Sequence, residues 1–447
     1  MLTLGIDIGT SSVKVAVLDA QGNCLAATSY PESEAPVLAV KPGWAEQNPN
    51  DWWEYTVTAI KKLQATGSYD PKAIAAIGIA YQMHGLVIVD EEQEVLRPSI
   101  IWCDSRATDI ELYPMGNFTA GKLEWVKRNE PQVYEHISTF MLPGDFIAMK
   151  LTGRITTTRS ALSEGNFIEL STGATNYYDF DPQLFPDVQE VFSDHGRINA
   201  EVASLLGLLD NVIVSYKAGD QLNNAFALNV LEEGEVAATA GTSGVLYAVT
   251  NKPQRDSFIH VNGKIAQLLC INGCGIMNAW IRRQTGAISY EEMNRLAAEI
   301  DTDGLYVLPF GNGAERMFDN ELVQAHISGI DLNKHTTAHL YRAVQEGIAF
   351  AFRYGMEVYD LKPAIIRAAY TNLFLSEVFR DVFVNTVNVP VELHEVDGAI
   401  GAALGAAKGL GLDIPRKTPI QIIKPTSTTL YGQKYQAWKD RLRRTIE

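Results

Sequence analysis

The chain has 447 residues, 46% of them hydrophobic and 20% charged, enough material for about two to three domains with sizeable cores. Its formal net charge of −16 excludes a nonspecific hold on nucleic acid or anionic lipid, yet permits a small anionic substrate in a local positive pocket. Four cysteines, Cys24, Cys103, Cys270 and Cys274, are too few for a disulfide scaffold, and no Cys/His cluster has zinc-site spacing, so all four are expected as reduced thiols. Met1 runs directly into a strand pattern, leaving no room for a signal peptide, and no run of about 18 apolar residues occurs, so the expectation is a soluble cytoplasmic protein.

In chain order, Leu2 to Ile8, Val13 to Leu18 and Cys24 to Ser29 read as three short strands, with Asp19-Ala20-Gln21-Gly22 as turn chemistry between the last two. Asn50 or Asp51 is expected to cap a helix in which Trp53, Val57, Ile60 and Leu63 recur at helical spacing. Ile74 to Ala80 then returns as an apolar strand. Met83 to Asp90 and Arg97 to Trp102 read as further strands, and Val133 to Thr152 as helical, closed by Gly153. The stretch from Leu170 to His195 reads as irregular, and a helix follows near Asn199.

Val212 to Tyr216 is a strand pattern, Gly219-Asp220 a turn and Asn224 to Val230 a helix, with a domain boundary near Lys217. The expected domains are therefore 1–217 and 218–447. In the second, Thr337 to Tyr359 is a long amphipathic helix, Pro363 to Leu375 and Pro390 to Leu393 are strand patterns, and Gly398 to Leu410 is a helix of small residues suited to close backbone approach. Strands alternating with helices indicate mixed α/β sheets.

One phrase occurs twice, about half a chain apart. Gly5 to Asp19 reads GIDIGTSSVKVAVLD, and Ala237 to Val249 reads AATAGTSGVLYAV. Each copy is a strand, a Gly-Thr-Ser turn and a second strand, the pattern of a duplicated supersecondary unit whose turns suit phosphate oxygens. In the first copy, Thr10 and Ser11 supply hydroxyls, Lys14 positive charge, and Asp7 a carboxylate for Mg²⁺, directly or through water. The alternative for one such loop is a plain polar hairpin turn; the second, at Gly241-Thr242-Ser243-Gly244, favours a split phosphate clamp. No Walker A motif and no GxGxxG after a strand occurs, which excludes a P-loop and a dinucleotide fold.

The stretches GIDIGTSSVKVAV, PGWAEQNPNDWW, IGIAYQMHG, IIWCDSRA, FTAGKLEWV, AGDQLNNA and ATAGTSGV resemble, in order, successive segments of the FGGY carbohydrate kinases over nearly the whole chain. Gln82-Met83-His84-Gly85 with Trp102-Cys103-Asp104-Ser105-Arg106 looks most like the xylulokinases of that family. The resemblance implies two actin-like, ribonuclease-H-like ATPase domains with ATP and sugar meeting in an active-site cleft between them. It also implies ATP- and Mg²⁺-dependent phosphorylation of a sugar, D-xylulose at its 5-hydroxyl in the first instance.

Asp220 matches the family's catalytic aspartate, the group that accepts the hydroxyl proton during phosphoryl transfer; its alternative is a helix N-cap. A helix N-terminus there is expected to lower its pKa. Met83 and His84 match positions lining the sugar pocket, Gln221 is a further candidate for sugar hydroxyls, and Asp104 with Arg106 is expected as an internal ion pair. Gly275 matches a glycine near the nucleotide's phosphates and ribose. At Arg367-Ala368-Ala369-Tyr370-Thr371-Asn372 the family's glycine-rich adenosine loop is missing: Asn372 remains as an adenine partner, while Ala368 and Ala369 put Cβ atoms where glycine belongs. Between Ile110 and Phe118 the chain is shorter than a xylulokinase. Rival readings are a kinase for another ketose, polyol or aldonate, and a noncatalytic nucleotide or sugar sensor. A homodimer is an expected partner state, with no nucleic acid or membrane.

Overall fold

The computed structural model describes residues 1–108, 110, 117–254, 256–287 and 289–446. The shortened stretch at 110–118 falls mostly outside them. Two compact units form. The first holds Met1–Asn229, Ser257–Ile265 and Val396–Lys417, and the second Val230–Asp256, Ala266–Glu395 and Thr418–Glu447. The boundary expected near Lys217 lies inside the strand Ile213–Gly219, which belongs to the first sheet, so the division comes later, after the helix Asp220–Ala227.

In the first unit the sheet order is Cys24–Tyr30, Val13–Asp19, Leu2–Ile8, Ile74–Tyr81, Ile213–Gly219. The first three strands form an antiparallel meander, and the last two run parallel to Leu2–Ile8. The second unit repeats this order with Ile265–Ile271, Gly244–Thr250, Glu235–Ala240, Ile365–Ala369 and Val391–His394, and adds Gln421–Ile423 antiparallel at the edge. The same Gly-Thr-Ser turn joins Leu2–Ile8 to Val13–Asp19 in the first sheet and Glu235–Ala240 to Gly244–Thr250 in the second. The duplication read from the sequence is thus a duplication of topology, as in actin-like folds.

Local chemistry sets most element ends. Asn48, rather than Asn50 or Asp51, caps the helix Pro49–Gln64 by accepting the Asn50 N–H, with Pro at the first helical position. Asn199 caps Ala200–Leu206, and Gly153 closes Pro143–Thr152 in the left-handed conformation at φ 72°. The helical pattern from Val133 to Thr152 is broken: Pro131–Tyr134 is a single turn, Thr139–Met141 a strand, and Pro143 starts the helix proper. Met83 to Asp90 is likewise not one strand; the strand is Val87–Val89, preceded by a single bridge from Leu86 to Ile100, and the chain turns at His84.

The small-residue helix Gly398–Gly409, expected in the second domain, packs on the sheet of the first. Gly5 and Gly78 face each other across the parallel strands Leu2–Ile8 and Ile74–Tyr81, and the helix backbone lies directly over them. A Cβ on Gly5 would stand 1.8 Å from the Ala399 carbonyl oxygen, and one on Gly78 2.0 Å from that of Ala402. Ser215 Oγ donates to the Ala406 carbonyl at 2.8 Å, tying the helix to a third strand. Four glycines in this helix oppose its formation by roughly 1 kcal/mol each relative to alanine, so the packing must outweigh propensity here.

Gly78→Ala is expected to lower the thermal midpoint, an overpacking cost of about 1–3 kcal/mol. Gly432→Ala, in a helix of the second unit with nothing within 4 Å of the added carbon, is expected to hold or raise the midpoint, a gain of up to about 1 kcal/mol in stability. Equal effects of the two substitutions in a melting experiment would contradict the close-approach account.

Candidate active site

Asp7 sits one residue before the end of its strand, and the chain turns at once through Gly9, Thr10, Ser11 and Ser12. Gly9 N–H donates to the Ser12 carbonyl at 3.1 Å and Ala35 N–H to the Ser11 carbonyl at 2.7 Å. The turn is also held by side chains. Gln47 donates to the Thr10 carbonyl at 2.8 Å, Thr10 Oγ1 donates to Gln82 Oε1 at 3.2 Å, and the Trp102 indole donates to Thr10 Oγ1 at 2.9 Å. The Thr10 hydroxyl is therefore fixed within the protein, while Ser11 is exposed. Lys14 is exposed and stands opposite Asp7 on the paired strand.

Asp7 packs against the start of the Gly398–Gly409 helix: a Cβ on Gly398 would stand 2.1 Å from its Oδ2. Asp397 caps that helix, accepting the Ile400 N–H at 2.8 Å. Burial pushes the Asp7 carboxyl up to about 6, with Lys14 pulling it down and Asp397 adding repulsion. Asp220 begins the helix Asp220–Ala227. Its Oδ1 accepts the Gln221 N–H at 2.8 Å and its Oδ2 the Gln221 side-chain amide at 3.2 Å, so Gln221 is turned toward the aspartate.

The Asp220 carboxyl lies at about 7, opposite to the lowering expected from a helix N-terminus. Burial is the larger cause and the Asp7 carboxylate the next, and together they outweigh the Gln221 bonds. Both aspartates keep partly exposed surface while standing among dense protein atoms.

Met83 is buried, and His84 holds the left-handed conformation at φ 61°. Its Nδ1 lies 2.8 Å from the Glu164 carbonyl oxygen, so Nδ1 carries the proton and Nε2 is the acceptor of the neutral ring. The Glu164 side chain is fully buried, with neither carboxyl oxygen in hydrogen-bonding geometry; its nearest donors are the His84 backbone and the Tyr81 hydroxyl. Burial and the neighbouring Asp220 hold this acid well above the usual carboxylate range. Glu164 and Met83 close over Gly219, where a Cβ would stand 2.3 Å from Glu164 Oε2 and 2.7 Å from Met83 Cγ.

In the second unit, the Gly241 and Thr242 carbonyls accept the N–H groups of Gly275 (2.9 Å) and Ile276 (3.1 Å) at the start of the helix Cys274–Thr285. A Cβ on Gly275 would stand 2.3 Å from the Gly241 oxygen, so glycine is required there by packing. Thr242 is exposed. Asn372 is left-handed at φ 54°, and its side-chain amide nitrogen lies 3.4 Å from where a Gly241 Cβ would be. Ala368 and Ala369 are not in this loop: they end the strand Ile365–Ala369, paired with Leu393 and His394, and the turn begins at Tyr370. The strand pattern read as far as Leu375 stops at Ala369, with a 3₁₀ turn over Asn372–Leu375.

Thus the first unit gathers Asp7, Thr10, Ser11, Lys14, Met83, His84, Asp220 and Gln221, and the second Gly241, Thr242, Gly275 and Asn372. Asp104 and Arg106 form the expected internal pair, Nη2 to Oδ2 at 2.7 Å, with Arg106 also on Glu46 and stacked 3.7 Å above the Trp44 ring. Sequence reasoning missed Glu164, Asp397, Gly398 and the buried Lys122. FTAGKLEWV contains Lys122, but nothing in it indicates that its ammonium reaches His84. All four cysteines are free thiols.

Residues 2–112 and 108–227 match the N-terminal domain of the FGGY family of carbohydrate kinases, and residues 236–410 match its C-terminal domain. The chain is 29% identical to a xylulose kinase of Haemophilus influenzae over 90% of its own length and 89% of that protein's. It is 28% identical to a xylulose kinase of Escherichia coli, over 98% and 96%. A solved structure described as a "xyloylose kinase" from Brucella ovis superposes with a TM-score of 0.89 at 26% identity, over 98% of each chain. Both halves of the family's architecture are matched along the strand-turn-strand duplication, and the chain belongs to the FGGY family of carbohydrate kinases.

Proposed function

We propose that this kinase uses ATP and Mg²⁺ to phosphorylate the 5-hydroxyl of D-xylulose, the substrate class that its relatives' names carry. Asp220 is the base. Met83, His84 and Gln221 bind the sugar; Ser11, Lys14, Thr242 and Asn372 face the nucleotide, and Thr10, Gly241 and Gly275 shape the turns that hold it. The observation that carries the reading is the Asp220 carboxyl, lifted to about 7 by burial and by Asp7. A group so placed is ionised in a useful fraction near neutral pH and still basic enough to take a proton.

Asp7 fits a hard divalent cation: its carboxylate is raised by burial and Asp397 and is not bonded to a buried cation, and Mg²⁺ is ordinarily held by one or two carboxylates plus substrate phosphates. When bound, the ion supplies charge neutralisation at the phosphates. The chain's own residues do the rest. Lys14 adds positive charge beside the first turn. The sugar hydroxyl attacks the γ-phosphorus, the bond to the ADP oxygen breaks, and the hydroxyl proton passes to Asp220 as the sugar oxygen acidifies.

ADP release measured with D-xylulose, L-ribulose, L-fuculose, D-gluconate and glycerol tests the substrate; turnover confined to a different acceptor would replace D-xylulose, and none with any acceptor would remove the kinase reading of the site. Asp220→Asn is expected to lower kcat about 10²–10⁴-fold, and unchanged turnover would remove Asp220 as base. In the wild type, kcat/KM is expected to fall as pH drops through about 7, and more steeply once Asp7 protonates near 6.

Stability moves the other way. A carboxyl with a raised folded pKa binds more protons folded than unfolded, so its contribution is present at low pH and lost as pH rises from about 4 to 7. Asp220→Asn is therefore expected to raise the thermal midpoint at pH 8 and to leave it nearly unchanged at pH 4. A lowered midpoint at pH 8 would contradict the burial account.

A further inference from the structure

Lys122 lies on the helix Thr119–Asn129 and is fully buried. Its ammonium donates to the His84 carbonyl oxygen at 2.6 Å, its hydrogen-bond partner among the described residues. The charged groups around it are Asp104, which favours its charge, and Arg106, which opposes it, with the Cys103 thiol, itself pushed up by burial, close by. Burial outweighs them and pulls the ammonium down to about 7. An ammonium kept at such a cost where an apolar side chain would fill the same space has to be explained by what it holds.

What it holds is an outlier. A residue with a Cβ in the left-handed region costs roughly 1–2 kcal/mol, and such strain persists where the surroundings over-determine it. At His84 several contacts do so: Lys122 on the carbonyl, the Glu164 carbonyl on Nδ1, the Phe118 ring edge-on to the imidazole at 4.7 Å and 84°, and the Phe258 ring tilted against it at 5.8 Å. Phe118 immediately precedes the helix that carries Lys122, so one element grips both the backbone and the ring. The turn follows the end of the strand at Tyr81, and Met83, one residue before His84, lies against Gly219, next in sequence to Asp220.

We propose that Lys122 is a positioning residue for the sugar, its ammonium locking the Met83–His84 turn in the conformation that presents both side chains to the substrate. This rests on the assignment of Met83 and His84 to the sugar. Lys122 acts through the carbonyl of His84. A role in holding the fold predicts loss of stability on its removal. A positioning role predicts a sugar-selective defect with none, because burying this lysine, its ammonium pulled down to about 7, opposes folding at neutral pH.

The test measures steady-state kinetics with D-xylulose and ATP for wild type, Lys122→Met, Lys122→Arg, His84→Ala and the Lys122→Met/His84→Ala pair, with thermal midpoints at pH 7.5. Lys122→Met is expected to raise KM for D-xylulose at least tenfold and to leave KM for ATP and sugar-independent ATP hydrolysis within twofold. Its midpoint should not fall, Lys122→Arg should recover most of the sugar affinity, and the double variant should be far less than additive. A D-xylulose KM within twofold of wild type in Lys122→Met, parallel rises in both KM values, or a variant that does not fold would each overturn the proposal. A large effect of His84→Ala with none from Lys122→Met sinks the Lys122 role alone. A His84→Ala chain with unchanged sugar KM sinks the histidine's assignment and Lys122 with it.

Discussion

The approach of the Gly398–Gly409 helix to the first unit's sheet sets where the acids of the site stand. Side chains normally hold a helix and a sheet apart; here Gly5 and Gly78 on the strands, and Gly409 on the helix against the Ser215 carbonyl, let backbone meet backbone. The helix start is thereby delivered to the end of the Leu2–Ile8 strand, where Gly398 lies against the Asp7 carboxyl and Asp397 adds its charge. Asn223, on the helix that begins at Asp220, donates to the Gly398 carbonyl at 2.9 Å. One packing contact therefore fixes the spacing of Asp7, Asp220 and Asp397 at the same edge of the sheet.

That spacing is electrostatically costly. Asp7 and Asp220 repel each other, and Glu164 adds a third acid held well above the usual carboxylate range by burial and by Asp220. Desolvation is the largest cause for all three, and the cation offsetting Asp7 is an exposed lysine across the hairpin. By contrast, the buried Lys217 of the same unit is paired with Asp145 at 2.6 Å and bonded to the Thr156 carbonyl, as buried charges in structural roles are. The two arrangements sit three residues apart, at 217 and 220. Complete pairing at one and its lack at the other separates a structural charge from one held ready for a ligand.

Where local chemistry decides, the sequence is legible: Leu2–Ile8 and Ile74–Tyr81 follow from apolar runs between turn residues, and Asn199 and Gly153 end helices by capping. Where distant groups decide, it is not. The run after Tyr81 reads as strand, but Lys122, Glu164 and Phe118, 34 to 80 residues away, turn it at His84. The Asp220 shift runs against expectation for the same reason: the helix terminus is a local feature, whereas burial and Asp7 are tertiary. Motif position puts Ala368 and Ala369 in a loop that should be glycine-rich, while pairing with Leu393 and His394 extends the strand through them.

The duplication hides an asymmetry that bears on anion binding. Helix N-termini attract phosphate through unsatisfied N–H groups, yet at the Cys274–Thr285 helix the Gly275 and Ile276 donors are spent on the carbonyls of Gly241 and Thr242. Just before it, the buried Glu315, itself raised to about 7 by burial, takes the Asn272 N–H. The helix terminus is thus neutralised by the protein. Any anion at the second Gly-Thr-Ser turn must rely on that turn's own hydroxyls and amides and on the neighbouring Asn372. In the first turn the roles reverse: Thr10 is consumed by Trp102 and Gln82, and Ser11 and Lys14 are the exposed groups. Two copies of one phrase therefore present different chemistry, because each is braced by a different set of distant residues.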